Sequence, residues 1–179
     1  IEREVAMCSA LRSPFVVGFF GRAVIPEKYY LVMEFVPHGS LGSLVKNRKE
    51  DAPLLERGFK VRAILDTARG MEFLHKAKII HRDLKPDNVL IASMDPRAPV
   101  VAKLSDFGTS RYAGSELLKT KTKGVGSPCF MAVECIAGEK YDWHSDVYSF
   151  AKLVWHVLTQ QEHYDGFPNK YEVSRFIQA

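Results

Sequence analysis

Two long stretches of the sequence carry hydrophobic residues at the spacing of an amphipathic helix. Ile64, Ala68 and Met71 recur every three or four residues and predict a helix over about residues 57–76. A second helix is predicted over about residues 145–159, with hydrophobic positions at Val147, Phe150, Ala151, Val154, Trp155 and Leu158. Shorter helices are expected over residues 1–11, after Ser40, and over residues 171–179. The predicted helix caps are Ser40 and Ser145.

Short runs rich in β-branched and aromatic residues predict β-strands between these helices. Residues 15–20 and 29–36 are two such runs, and Pro26-Glu27-Lys28 between them predicts a turn, so we expect an antiparallel pair. Short apolar segments also occur at residues 79–80, 89–91 and 100–104. Residues 109–128 contain glycine, serine, threonine and lysine with little periodicity, which predicts a loop.

The composition is typical of a globular domain. A chain of 179 residues with 46% hydrophobic and 26% charged residues suits one domain or the larger part of one. The formal net charge of +4 is small and the basic residues are scattered, so no nucleic-acid partner is expected. No apolar run approaches the roughly 18 residues of a membrane span, so no membrane segment is evident in the sequence.

The cysteine pattern indicates a reducing environment. Cys8, Cys129 and Cys135 are too few and too scattered for a disulfide framework or a cysteine-based metal site. We therefore expect a cytoplasmic, intracellular protein. The chain begins with Ile1 rather than methionine, which suggests an excerpt from a longer polypeptide.

The candidate chemistry lies in two motifs. The first is the run His81-Arg82-Asp83-Leu84-Lys85-Pro86-Asp87-Asn88, and the second is Asp106-Phe107-Gly108. Phosphoryl transfer from a metal-bound nucleotide requires positioning and compensation of negative charge. Asp83 can orient a hydroxyl and Lys85 can neutralise phosphate charge, while Asn88 and Asp106 offer oxygen ligands for a metal. A lone His-Arg-Asp triplet is more often structural, but the longer run rarely arises by chance.

Together with Ala132-Val133-Glu134, these motifs resemble the signature of protein kinases. The resemblance extends over nearly the whole chain and implies an α+β, bilobal fold. Residues 1–36 would be a remnant of the N-lobe and hinge strand, and residues 37–179 a mainly helical C-lobe. The resemblance also implies ATP and Mg²⁺ as cofactors and a protein as substrate. By this resemblance, Asp83 would accept or orient the proton of the attacking hydroxyl, and Lys85 would contact the transferring phosphate. Asn88 and Asp106 would be the ligands of Mg²⁺.

The same resemblance assigns residues to the nucleotide. Met33 would be the gatekeeper, and Glu34 and Val36 would offer backbone hydrogen bonds to adenine. Lys85, Asn88 and Asp106 would contact the phosphates and their metal. Glu4 takes the place of the helix-C glutamate, which in the family pairs with a strand lysine that grips the phosphates.

Substrate recognition is expected in residues 126–134, which resemble the segment that docks a peptide and are called the docking segment below. Ser127 takes the place of a hydroxyl residue that contacts the catalytic acid and lysine. Lys85-Pro86 favours serine/threonine specificity, whereas the sequence Asp-Val-Tyr-Ser-Phe at residues 146–150 resembles tyrosine kinases. The mixture fits the tyrosine-kinase-like group and leaves dual specificity open. Asp146 itself would hold the backbone of the His-Arg-Asp loop.

Regulation is expected in the segment over about residues 106–134, which resembles the activation segment of protein kinases. By resemblance, Arg82 would bind a phosphate on this segment, and Thr120 and Thr122 are the best acceptors, with Ser115 behind them. The alternative is that these hydroxyl residues only solvate a loop. His81 is interpreted as a core residue that packs on Phe107 and braces the loop.

The sequence also departs from the family pattern. The Gly-rich loop and the strand lysine are absent from the 179 residues, so we expect this piece alone to bind ATP weakly and to transfer phosphate poorly. The alternative function is a non-catalytic, kinase-like regulatory or scaffold module. A small-molecule phosphotransferase is a third hypothesis, and the docking segment argues against it.

Overall fold

The computed structural model describes residues 9, 11–26, 28–46, 55–113, 127–139 and 142–178 of the chain. The predictions for Glu4, Thr120, Thr122 and Ser115, and most of the helix predicted at residues 1–11, lie outside the described residues. The chain divides into two compact units. The first comprises Ile1–Phe73 with Asp87–Gly108, and the second comprises Leu74–Pro86 with Thr109–Ala179.

The described residues form short strands and five helices. The strands are β1 (Phe19–Ile25), β2 (Lys28–Met33), β3 (Ile79–Ile80), β4 (Val89–Ile91), β5 (Ala102–Leu104) and β6 (Arg111–Tyr112). The helices are α1 (Leu41–Lys46), α2 (Arg57–Lys76), α3 (Val133–Ala137), α4 (Trp143–Thr159) and α5 (Lys170–Gln178), with 3₁₀ helices at Pro86–Asn88 and Pro128–Phe130. In this part of the chain, no helix combines the length and the apolar character that crossing a bilayer requires.

Two antiparallel strand pairs organise the first unit. β1 pairs with β2 in antiparallel orientation, as the sequence predicted. The predicted bounds, residues 15–20 and 29–36, were wrong, because the strands extend over Phe19–Ile25 and Lys28–Met33. β4 pairs with β5, with Val89 opposite Leu104. The N–H of Leu104 donates to the carbonyl of Phe15 at 2.9 Å, and the N–H of Val17 donates to the carbonyl of Leu104 at 2.8 Å. These bonds fasten the chain before β1 to β5.

Helix α2 confirms the long helix predicted from its hydrophobic spacing. It packs closely on the β5 strand at Gly70, where an added Cβ would lie 2.8 Å from Leu104 Cδ1 and 2.8 Å from the carbonyl oxygen of Phe15. A glycine inside a helix is intrinsically unfavourable, and the close approach accounts for it here. The fully buried Asp66 of the same helix accepts the N–H of Val101 at 2.7 Å, which joins α2 to the approach to β5.

The second unit is built around α4. The helix begins at Trp143 because the side chain of Asp142 accepts the N–H of His144 at 2.8 Å. The prediction of Ser145 as the cap was therefore wrong, since Ser145 lies inside the first turn. Ser40 does cap α1, through a 3.0 Å bond from the N–H of Ser43. Strand β3 pairs with β6, a strand that the predicted loop over residues 109–128 did not include.

The hydrophobic stripe that predicted α4 is not the buried face of that helix. Val147, Trp155 and Leu158 are exposed in the described structure. The buried residues of α4 are Ser145, Asp146, Ser149, Leu153, His156 and Val157. The polar members of this set make specific hydrogen bonds, so the packed face of α4 is defined by polar partners as much as by hydrophobic burial.

Candidate active site

Asp83, Lys85 and Ser127 form a closed triangle in the second unit. The Lys85 amine lies 2.6 Å from Oδ2 of Asp83 and 3.0 Å from Oγ of Ser127. The backbone N–H of Ser127 donates to Oδ1 of Asp83 at 3.1 Å. The Asp83 side chain is only 9% exposed. One of its carboxylate oxygens binds the Lys85 amine and the other binds the backbone N–H of Ser127. Ser127 thus contacts Lys85 through its hydroxyl and Asp83 through its backbone N–H.

The loop that presents Asp83 is fastened by Asp146. The buried carboxylate of Asp146 accepts the N–H of His81 at 2.8 Å and the N–H of Arg82 at 2.9 Å. Nε2 of His75 lies 2.9 Å from the same carboxylate. The contact between Asp146 and the loop backbone agrees with the resemblance. The contact of His75 with Asp146 was missed, because no sequence spacing links two residues that lie 71 positions apart.

His81 is fully buried, as expected for a core residue, and its carbonyl oxygen accepts two hydrogen bonds from side chains. The hydroxyls of Thr109 and Ser110 donate to that oxygen at 3.1 Å and 3.2 Å. The segment after Asp-Phe-Gly is thereby bonded to the His-Arg-Asp loop. The expected contact between His81 and Phe107 stays a prediction.

Arg82 lies with a second arginine at the carbonyl of Thr109. The Arg82 guanidinium donates to that oxygen at 3.4 Å, and Arg111 donates to it at 3.3 Å and to the carbonyl of Ser110 at 2.7 Å. Sequence reasoning missed Arg111 because it falls in a segment predicted as an irregular loop, and β6 fixes its position. The two guanidinium groups make a region of positive charge.

Asn88 and Asp106 belong to the first unit and flank its β4–β5 pair. The N–H and hydroxyl of Ser105 both bind the carbonyl of Asn88, at 2.9 Å and 3.0 Å. Asn88 precedes β4 and Asp106 follows Ser105 after β5, so the antiparallel register brings them to the same end of the pair. Asp106 has a φ of 62°, a left-handed conformation that aspartate tolerates better than bulkier residues. The structure thus places the two predicted metal ligands at the same end of one strand pair.

Glu34 follows β2 directly and is tied to β5 by an ion pair. Its carboxylate lies 2.5 Å from the Lys103 amine and accepts the N–H of Gly18 at 3.0 Å. Burial opposes ionisation, but the hydrogen bonds from Lys103 and Gly18 hold the pKa of Glu34 below its ordinary value of 4.5. The backbone N–H of Glu34 also donates to Gly18 at 2.7 Å. Met33 is the last residue of β2 and pairs with Phe19.

Val36 lies two residues beyond Glu34 and is buried, whereas Phe35 between them is 85% exposed. Among the described residues, no hydrogen bond reaches the backbone N–H or carbonyl of Val36. A polar backbone without a protein partner at a buried position is suited to bonding a ligand. No group of three or more histidine, cysteine, aspartate or glutamate side chains suited to a metal occurs in the described part of the chain.

Comparisons with known proteins extend over the whole sequence. Residues 1–179 match the family model described as protein tyrosine and serine/threonine kinase. The chain is 37% identical over 178 residues to the probable serine/threonine-protein kinase gdt4 of Dictyostelium discoideum, covering 99% of this chain and 11% of that protein. It is 36% identical over 173 residues to the dual specificity protein kinase shkB of the same organism, covering 95% of this chain and 25% of that protein.

A similar match lies in a virus. The chain is 36% identical over 166 residues to the putative serine/threonine-protein kinase/receptor R818 of Acanthamoeba polyphaga mimivirus, covering 91% of this chain and 9% of that protein. The chain therefore spans a quarter or less of the length of these three relatives.

Proposed function

Because the chain belongs to the family of protein tyrosine and serine/threonine kinases, we propose that it transfers the γ-phosphate of ATP to a serine or threonine hydroxyl of a protein. The observation that carries this proposal is the triangle of Asp83, Lys85 and Ser127. The amine and the amide orient the Asp83 carboxylate for accepting the proton of a substrate hydroxyl. A hydroxyl residue at position 127 is expected of a serine/threonine kinase.

The proposed reaction needs one proton transfer. The substrate hydroxyl oxygen attacks the γ-phosphorus, and the bond between that phosphorus and the bridging oxygen of ADP breaks. The hydroxyl proton passes to the carboxylate of Asp83. The Lys85 amine, 2.6 Å from Asp83, offsets charge on the transferring phosphoryl group. Ser127 keeps that amine in place through its 3.0 Å hydrogen bond.

The metal ligands in this proposal are Asn88 and Asp106. An amide oxygen and a carboxylate are hard donors of the kind that Mg²⁺ selects, and two protein ligands suffice where phosphates and water complete the shell. Ser105 fixes the strand end that carries Asn88, so the observed donor set fits the ion. Bound Mg²⁺ supplies neutralisation of phosphate charge.

The adenine site in this proposal is the segment after β2. The backbone carbonyl of Glu34 and the backbone groups of Val36 would bind the base, and Met33 would border it as gatekeeper. Support comes from the buried backbone of Val36, to which no described residue is hydrogen-bonded. The ion pair of Glu34 with Lys103 holds the start of this segment against β5.

Regulation in this proposal uses the positive charge beside Thr109. A phosphate on Thr120 or Thr122 would pair with Arg82, and Arg111 lies at the same carbonyl to assist it. Glu4 would anchor the phosphate-binding lysine of the family. No such lysine and no Gly-rich loop occur in the 179 residues, so we expect the isolated chain to turn over ATP slowly. We further propose that the protein acts inside the cell and belongs to the tyrosine-kinase-like group.

The proposal is tested by measuring Mg²⁺-dependent transfer of phosphate from ATP to a generic protein substrate, using the natural protein that contains this chain. We expect phosphoserine and phosphothreonine as products. The variant Asp106→Asn should abolish transfer and weaken binding of Mn²⁺ in the presence of nucleotide. Asp165→Asn, an exposed residue in a turn, is the matched control and should leave both unchanged. Unchanged transfer in Asp106→Asn would show that the metal role is wrong.

A further inference from the structure

Two histidines of the second unit pack against the docking segment. The ring of Phe130 meets the rings of His156 and His163 edge-on, with centroid distances of 5.9 Å and 5.3 Å. The two imidazoles stack on each other at 5.8 Å, and His163 also stacks on the indole of Trp155 at 4.5 Å. These rings connect the docking segment to α4 and to the loop that follows α4.

Hydrogen bonds define which nitrogen of each imidazole carries its proton. Nδ1 of His156 lies 2.7 Å from the carbonyl oxygen of Gln161, and Nε2 of His163 lies 2.8 Å from the carbonyl oxygen of Lys152. Because a carbonyl oxygen only accepts, both of these nitrogens must be the protonated ones. A neutral imidazole satisfies each contact with its single N–H, so neither contact requires a charge.

The surroundings of His163 favour its neutral form. Burial lowers the pKa of His163 below its ordinary value of 6.5, and the positive charges of Lys152 and His156 act in the same direction. The carbonyl of Lys152 and the carboxylate of Glu162 act in the opposite direction but do not reverse the shift. From the docking segment, the uncharged ring of Phe130 packs against this group.

We propose that His163 is a positioning residue for the protein substrate, holding Phe130 while its imidazole is neutral and releasing Phe130 when the imidazole is protonated. This inference rests on the proposed function, since it is a peptide substrate that would be read by the docking segment. Phe130 is followed directly by Met131 and Ala132, which are buried in one cluster with Cys135. A shift of Phe130 therefore disturbs the packed part of the docking segment.

The direction of the pH dependence follows from linkage. The released form of His163 binds a proton more tightly than the packed form, because packing lowers the pKa. Packing is therefore complete above about pH 6.5 and weakens progressively as the pH falls below that value. Substrate docking should follow the same course.

The kinetic test compares three forms of the natural protein that contains this chain, between about pH 5.5 and about pH 8. In the unmodified protein, the KM for a peptide substrate should rise by about threefold or more below pH 6.5, while the KM for ATP stays constant. His163→Phe keeps an aromatic ring without the titration and should lose this rise. His144→Phe, at an exposed position, is the matched control and should keep it. An equal acid rise in His163→Phe would overturn the inference.

Hydrogen exchange tests the same inference without requiring activity. The amides of Phe130 and Met131 donate to Ser127 and Pro128 at 2.9 Å and 3.2 Å, and their protection, corrected for intrinsic exchange, should fall with acidification except in His163→Phe. If this is seen in a protein that transfers no phosphate, the proposed function fails and the positioning stands. If phosphate is transferred but protection does not change with pH, the positioning is wrong.

A third measurement avoids substitution altogether in case His163→Phe does not fold. The ring resonances of His163 and Phe130 in the unmodified protein are followed by NMR as the pH is lowered. The inference requires that the ring resonances of Phe130 change in step with the titration of His163. A Phe130 ring that stays unchanged through that titration would overturn it.

Discussion

The carboxylate of Asp146 accepts a hydrogen bond from the backbone N–H of Arg82 at 2.9 Å, although 64 positions separate the two residues. Arg82 has a φ of 73°, in the left-handed region that is unfavourable for a long side chain. The neighbouring N–H of His81 binds the same carboxylate at 2.8 Å. Asp146 thus stabilises a strained turn of the chain immediately before Asp83, and the orientation of the proposed catalytic acid depends on it.

Asp146→Ala should therefore destabilise the protein. It leaves two buried amide donors and the ring of His75 without their acceptor, which we expect to lower the free energy of unfolding by about 2–4 kcal/mol. Chemical denaturation measures this change. Asp165→Asn, in an exposed turn, should leave the midpoint unchanged. A midpoint for Asp146→Ala equal to that of the unmodified protein would show that the loop is held by other contacts.

Ser127 should affect catalysis more than stability. Ser127→Ala removes the hydroxyl that binds the Lys85 amine at 3.0 Å, and we expect kcat to fall by about tenfold because that amine is less well positioned. The N–H of Ser127 that binds Asp83 is kept. Ser127→Thr restores a hydroxyl and should recover most of the rate. Equal rates for the alanine and threonine variants would contradict this role.

The close contact at Gly70 predicts opposite effects for two glycines of one helix. Gly70→Ala places a Cβ at 2.8 Å from Leu104 and from the backbone of Phe15, and should cost about 1–3 kcal/mol of unfolding free energy. Gly58→Ala meets no atom closer than 3.4 Å and should be neutral or stabilising by up to about 1 kcal/mol. Thermal unfolding of both variants measures the difference, and an equal effect of the two would contradict the packing described.

Sequence reasoning was most successful where a signal is local. The hydrophobic spacing of α2 predicted that helix with its observed bounds, Arg57–Lys76, because packing and period agree along its length. The proximity of Ser127 to Asp83, 44 positions away, was expected only from the family resemblance, since no periodicity links the two residues.

Features that depend on distant partners were not predictable from the pattern. The buried face of α4 carries polar residues, of which Asp146 binds the distant backbone of His81 and Arg82, so the hydrophobic stripe indicated the wrong face. The contact of His75 with Asp146 likewise joins residues that lie 71 positions apart and share no spacing. The strand predicted over residues 29–36 extended too far, because strand pairing ends before Glu34. The Glu34 carboxylate is instead bonded to the N–H of Gly18 and to the Lys103 amine.

The ion pair of Glu34 predicts a pH dependence of stability. The pKa of Glu34 is lowered in the folded protein, so the pair contributes stability above the ordinary value of 4.5 and loses it as the pH falls through the lowered pKa. Glu34→Gln should destabilise by about 1 kcal/mol at neutral pH, a value reduced for the partial exposure of the pair. The difference between the two proteins should shrink below pH 4.5. A difference that is constant with pH would contradict this account.

In the proposed reaction, the carboxylate of Asp83 takes up the proton of the substrate hydroxyl. Single-turnover transfer of phosphate from ATP to a peptide tests this role by comparing Asp83→Asn with the unmodified natural protein. Asparagine keeps the size and an acceptor for the N–H of Ser127 but does not take up a proton. We predict a rate lower by about 10²–10⁴-fold, with ATP affinity and unfolding midpoint retained. A transfer rate within about threefold of the unmodified protein would contradict the account.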